Sequence, residues 1–303
     1  MLLIRRFRRR LSGWPGRARI LILVVMLLLL VQALRAETRE IALADGRSYR
    51  IDLPATPDNA PVILALHGGG GNPDQTARNS GLTAPALAQG YAVIYPAGTG
   101  RRLLTWNAGY CCAQSARRDI DDVAYLDAVI ADAVRRFGLD PGRVYLTGMS
   151  NGSMMAERYA AERPQAVRAV AGVAGTMDLS LRIRGPVPFL HIYGTADTSV
   201  PYNGGVGEGV TRTRFDSVPD LVAAWRRANK ADRDGGASVI DPVPDGRSAT
   251  LQDWTDAQGR VMVRLITIDG GGHEWPGGKR SQKSGPRDVS ANEEILRFFA
   301  LHP

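Results

Sequence analysis

The chain of 303 residues is 44% hydrophobic and 22% charged, enough apolar content for a sizeable core, and shows no short repeat, which excludes disorder, collagen and coiled coil. Its net charge of +8 resembles that of a nucleic-acid binder until the charge is located: residues 1–36 hold eight Arg and no acid, and the remainder balances 30 basic against 30 acidic residues. A domain that grips phosphates needs clustered positive charge on its folded part, so no nucleic-acid partner is expected.

The first 36 residues read as an export segment. Five Arg between Arg5 and Arg10 precede the apolar run Ile20 to Leu34, interrupted only by Gln32, with Ala33 and Ala36 as small residues at a cleavage site. The run has fifteen residues, short of the about 20 that a spanning helix needs. It is expected to be a signal peptide or a signal-anchor, with membrane association only if it stays uncleaved. Either way the rest of the chain is expected to be secreted or periplasmic. No linker divides residues 37–303, which are expected to form a single catalytic domain.

From residue 39, Glu40–Leu43 and Tyr49–Leu53 flank Asp45-Gly46, a hairpin signal. Val62–Leu66, Tyr91–Tyr95, Val144–Thr147, Ala169–Ala174 and Pro188–Tyr193 are unbroken β-rich runs, as expected of strands covered on both faces. Between them lie helical patterns: a stripe from Val123 to Phe137 closed by Gly138, then Ser153–Arg163, stopped by Pro164. Val218–Ala228 and Val289–Leu301 are two more helices, and Thr250–Thr255 and Val261–Ile268 are strands joined by a turn. Two antiparallel strands followed by βα alternation predict an α/β fold, a mostly parallel central sheet flanked by helices.

Gly148-Met149-Ser150-Asn151-Gly152 follows one strand and opens the next helix. G-x-S-x-G in that context is a nucleophile elbow: glycines permit the tight turn and Ser150 is pushed up with Oγ exposed. The helix start offers the Asn151 N–H to an oxyanion. A Ser needs a base, and four His are present. His302 is penultimate, His67 opens a glycine run, and His191 lies within a strand. His273, in a glycine-rich loop after a strand, is the expected base. Asp197, closing the loop Gly194-Thr195-Ala196-Asp197 between the other two in sequence, is the expected orienting acid. The run His67-Gly68-Gly69-Gly70-Gly71 suits a second oxyanion donor, Gly69 before Gly70, and lacks the Lys of a P-loop.

Cys111-Cys112 are the two cysteines of the chain. Neighbouring Cα atoms lie about 3.8 Å apart across a trans peptide, so the alternatives are a vicinal disulfide or two separate buried thiols. Trp106 and Trp275 are candidate walls of a substrate cleft, with ordinary packing as the alternative. Asp119, Asp121 and Asp122 suggest metal ligands, but carboxylates in a first helical turn complement its dipole; no metal and no cofactor are expected. Arg101-Arg102 read as a solvated loop, with contact to a substrate carboxylate as the alternative.

Taken together, His67-Gly68-Gly69-Gly70, Trp106-Asn107 with Cys111-Cys112, Asp121-Asp122-Val123, Gly148-Met149-Ser150-Asn151-Gly152, Gly194-Thr195-Ala196-Asp197 and Gly272-His273-Glu274-Trp275-Pro276-Gly277 resemble the polyhydroxybutyrate depolymerase/feruloyl esterase-like family. The resemblance includes the order of the motifs and runs from about residue 39 to 300. It implies an α/β-hydrolase fold and hydrolysis of a small-molecule or oligomeric ester, with the triad falling on Ser150, Asp197 and His273. Depolymerases of solid polymer usually carry an additional polymer-binding domain, for which residues 37–303 leave no room, so soluble feruloyl, short-chain acyl or hydroxyalkanoate esters are expected over insoluble polyester. The same fold also serves acyltransferases and peptidases, and a binding protein of hydrolase shape is a further alternative, against which all three triad positions are filled.

Overall fold

In the computed structural model, residues 37–303 are described except 210, 211, 244–247, 280 and 282–287; the expected export segment therefore lies outside the described residues. The hairpin signal at Asp45-Gly46 joins β1 (Glu37–Ala42) to β2 (Ser48–Leu53), antiparallel, with Gly46 at φ +83° supplying the left-handed turn residue. Next come β3 (Val62–Leu66), β4 (Ala92–Pro96), β5 (Val144–Met149), β6 (Ala169–Val173) and β7 (Phe189–Gly194). After the short pair β8 (Gly205–Val206) and β9 (Arg214–Phe215), the chain forms β10 (Arg233–Ile240), β11 (Ala249–Thr255) and β12 (Val261–Ile268). Ten strands build one sheet in the order β1-β2-β4-β3-β5-β6-β7-β12-β11-β10. From β4 to β12 the pairing is parallel; the flanking strands on both sides run antiparallel.

The unbroken apolar runs have a simple cause. Val62, Leu64 and Leu66 of β3 face one core, and Ile63 and Ala65 face the other. The first core is covered by α4 (Asp122–Phe137), α5 (Asn151–Glu162) and α6 (Val218–Asn229), through side chains such as Leu126, Met155 and Trp225. The second is covered by α1 (Pro73–Ser80), α2 (Thr83–Ala88) and α7 (Ala291–Ala300), with Phe298 and Phe299 fully buried. Gly138 caps α4 in the left-handed conformation at φ +65°, where its N–H reaches Val134 O.

The sequence reading missed α1, α2, a short α3 (Ala113–Arg117) and β10. Strand β10 contains Gly235-Gly236 and is exposed along almost its whole length, so it lacks the buried-face pattern that marks a strand. Among the described residues no helix is long and apolar enough to cross a membrane.

Candidate active site

Four loops leave the carboxyl ends of parallel strands β3, β5, β7 and β12, the end where open α/β sheets bind ligands. Ser150 stands at φ +57°, ψ −126°, between the end of β5 and the first residue of α5. Its N–H donates to Val173 O at 2.8 Å, and its carbonyl accepts from Met154 N at 3.0 Å. A Cβ on Gly148 would collide with the Gly152 backbone, and one on Gly152 with the Leu66 and His67 carbonyls. Close approach of backbone, rather than handedness, is what requires glycine on both sides of the serine.

Asp197 and His273 come from the loops after the adjacent strands β7 and β12. Thr195 N donates to Ile268 O at 3.0 Å and Ala196 N to Gly271 O at 2.9 Å, which ties these loops together. His273 Nδ1 lies 2.7 Å from Asp197 Oδ2. The Asp197 side chain is fully buried, and its Oδ1 accepts from the N–H groups of Ser199 and Val200, both at 2.9 Å. A carboxylate held by three donors cannot swing away from the imidazole. With Nδ1 facing the acid, Nε2 is the ring nitrogen available toward the cavity that Ser150 and His273 both line.

Gly69 sits where a Cβ would be 3.8 Å from Asn151 Cβ, so the two expected oxyanion donors are neighbours. The N–H of Gly70 is directed to Leu104 O at 2.8 Å and that of Gly71 to Gly68 O at 2.9 Å. The Gly70 and Gly71 N–H groups are thus engaged within the fold.

Two cavities meet at Ser150 and His273. The larger, about 920 Å³, has apolar walls that include Met154, Val200, Phe215 and the Cys111–Cys112 pair. Those cysteines form a vicinal disulfide across a cis peptide bond. The smaller, about 260 Å³, is lined by Gly68–Gly71, Gln75, Asn79 and Trp275. Trp275 is 7% exposed and its Nε1 donates to Asn292 Oδ1 at 3.0 Å.

The structure corrects the expectation for Trp106. Its side chain is 0% exposed and does not line either cavity at Ser150. Its indole N–H donates to His67 O at 2.9 Å, and its own backbone N–H and C=O pair with the Asn151 side chain at 2.7 and 3.0 Å. An aromatic residue with a polar tip finds a hydrogen bond when buried, and here that bond ties the Trp106 segment to the glycine loop while the Asn151 side chain ties it to the elbow. Among the described residues no group of His, Cys, Asp and Glu is placed to hold a metal ion, and Asp119 accepts from Asn107 Nδ2 at 3.1 Å. Asp121 caps α4 by accepting from Ala124 N at 2.9 Å. Buried Asp122 pairs with Arg47 at 2.7 Å and accepts from Asn107 N at 2.7 Å, anchoring the loop that carries Trp106.

His191 and His67 are buried away from solvent. His191 is fully buried in β7, with Nδ1 3.3 Å from Glu157 Oε1. His67 accepts from Gly98 N through Nε2 at 2.9 Å and faces Gly68 O through Nδ1 at 2.8 Å. Burial holds its pKa down to about 4. The folded state thus binds fewer protons than the unfolded chain between pH 6.5 and 4, so the stability His67 provides is complete above 6.5 and lost as pH falls toward 4. Urea midpoints measured from pH 7 to 4.5 are expected to fall, and to fall less steeply in His67→Gln, whose amide oxygen can accept from Gly98. Equal slopes would contradict the assignment.

The same fold recurs in solved structures. The acetyl xylan esterase from Aspergillus awamori superposes with a TM-score of 0.61 at 13% identity, covering 88% of this chain and 99% of that one. Esterase PE8 superposes with a TM-score of 0.53 at 15% identity, covering 89% and 100%. The mostly parallel sheet with helices on both faces is an α/β-hydrolase fold. Residues 47–179 match the family model described as esterase PHB depolymerase. The putative esterase NocK of Nocardia uniformis subsp. tsuyamanensis is 35% identical over 259 residues, 79% of this chain and 74% of that protein. Feruloyl esterase B of Piromyces equi is 28% identical over 231 residues, 73% of this chain but 40% of that protein's length. The chain belongs to the polyhydroxybutyrate depolymerase/feruloyl esterase-like family of carboxylic ester hydrolases.

Proposed function

We propose that this protein is an exported serine esterase acting on small soluble esters, with Ser150 as nucleophile, His273 as general base and acid, and Asp197 as the group that fixes the histidine tautomer. The observation that carries the reading is the 2.7 Å contact between His273 Nδ1 and a fully buried Asp197, in a loop that shares its cavity with the elbow serine. Ser150 Oγ attacks the ester carbonyl while its proton passes to His273 Nε2. The N–H groups of Gly69 and Asn151 receive the negative charge that develops on the carbonyl oxygen. His273 returns the proton to the leaving alcohol, and an acyl group remains on Ser150. Water then attacks the acyl carbon, its proton again taken by His273, and the acid departs as Ser150 recovers its hydrogen.

Export is supported by the Arg-rich, then apolar, composition of residues 1–36. Small substrates are supported by the larger cavity, whose volume of about 920 Å³ is within the range of small-molecule sites. With Trp106 buried, the walls available to an acyl or aryl group are Met154, Val200 and Phe215 on one side and Trp275 on the other. The test compares kcat/KM on methyl ferulate and p-nitrophenyl butyrate with monomer release from polyhydroxybutyrate granules at equal enzyme. Efficient turnover of at least one soluble ester and slow granule attack are expected. Rapid granule clearance with poor turnover of both soluble esters would overturn the substrate class.

A further inference from the structure

We infer that the preferred ester carries a free carboxylate on the part seated in the larger cavity, recognised by Arg101, Arg102 and Arg117. The inference rests on the serine-esterase reading and specifies its substrate. Arg101 and Arg102 lie in the loop after β4, and Arg117 ends α3; all three are exposed and line the cavity that reaches Ser150 and His273. No Asp or Glu among the described residues lines that cavity. Among the described residues none of the three guanidinium groups is placed in an ion pair, so all three are open to a ligand.

Within residues 37–303, whose 30 basic and 30 acidic residues balance overall, three arginines at one cavity with no described acid beside them make a local excess of positive charge. A cleft lined by one sign of charge, with low-dielectric walls, concentrates the opposite sign at its mouth. Guanidinium groups also match the planar fork of a carboxylate. The lining of the same cavity also supplies apolar surface from Met154, Val200 and Phe215. The arrangement therefore fits a molecule with a short alkyl or aryl spacer, a reactive ester at one end and a carboxylate at the other. Neutral short-chain esters fill the apolar part and leave the cationic rim to water.

The test uses the whole protein and two matched pairs of substrates. In one the carboxylate is on the acyl side: the p-nitrophenyl monoester of glutaric acid against p-nitrophenyl pentanoate. In the other it is on the alcohol side: phenyl butyrate with and without a para-carboxylate. In at least one pair the charged ester is expected to have a kcat/KM about tenfold higher at 50 mM salt. The charged-to-neutral ratio is expected to shrink at 0.5 M salt, where the Debye length drops below about 5 Å. It should also collapse in R101Q/R102Q/R117Q. The acylation-dead Ser150→Ala variant, titrated calorimetrically with the charged and neutral esters, should bind the charged one more tightly and lose that advantage when the three arginines are also replaced.

Efficient turnover of neutral esters with no charged preference in either pair, or a preference that survives the triple substitution, overturns the carboxylate site and leaves the esterase reading intact. Absence of turnover on all four esters, together with equal binding of charged and neutral esters by Ser150→Ala, overturns both.

Discussion

Replacing Ser150 by Ala is expected to lower kcat on p-nitrophenyl butyrate by about 10⁶-fold, because nucleophile and base act as a unit and neither is useful alone. The substitution removes one oxygen from a residue whose φ of +57° is imposed by its neighbours: Val173 O holds its N–H, and Gly148, Gly152 and Gly175 leave no room for the turn to relax. Alanine tolerates that backbone about as poorly as serine does, so the thermal midpoint should stay within a few degrees. The measurement is kcat with purified variant beside a differential scanning trace. Activity within tenfold of the wild type would remove Ser150 from the mechanism.

Asp197→Asn is expected to reduce kcat by about 10⁴-fold with KM little changed, since the fault is in the proton path rather than in binding. The direction follows from the hydrogen bonds. Asp197 Oδ1 accepts from Ser199 N and Val200 N, so an asparagine must place its amide oxygen there and its NH₂ toward His273. An NH₂ at that position donates to Nδ1, which forces the ring proton onto Nε2 and turns it toward Ser150 as a donor. The imidazole then cannot accept the serine proton without losing its partner. Kinetics over pH 6 to 9 would detect the loss throughout, and a variant with wild-type kcat would show that Asp197 does not set the tautomer.

How much of this was legible in the sequence varies by residue. The parallel strands announced themselves because each is covered on both faces, which leaves no polar alternation to confuse the pattern: β3 reads Val-Ile-Leu-Ala-Leu, and every residue is buried. The elbow was legible because glycine is forced by backbone contact on either side of Ser150, a constraint written into the pentapeptide itself. Asp197 and His273 could be proposed from chain order and loop position, but their 2.7 Å approach depends on β7 and β12 being neighbours although about 70 residues separate them in sequence.

Trp106 was misread for a physical reason. A tryptophan near a catalytic motif has the same letter whether it faces a ligand or a core, and only the burial of its ring and the engagement of its N–H by His67 O decide between them. The Asn151 side chain was invisible for a similar reason: the motif explains its N–H, while its amide group pairs with the Trp106 backbone 45 positions away. The cationic rim was half visible. Arg101-Arg102 stand out as a pair, but Arg117 joins them only through the path of α3, and that no Asp or Glu among the described residues lines that cavity is a property of the fold.

The central claim is that Ser150 carries the acyl group during ester hydrolysis. A fluorophosphonate, whose phosphorus accepts the serine oxygen as fluoride leaves, traps such a nucleophile covalently, and peptide mass spectrometry locates the adduct. One phosphonyl group per chain, carried by the peptide containing Gly148-Met149-Ser150-Asn151-Gly152, with esterase activity lost in proportion to labelling, is the predicted result. Full esterase activity in protein labelled at Ser150, or complete inactivation with the adduct on another residue, would contradict it.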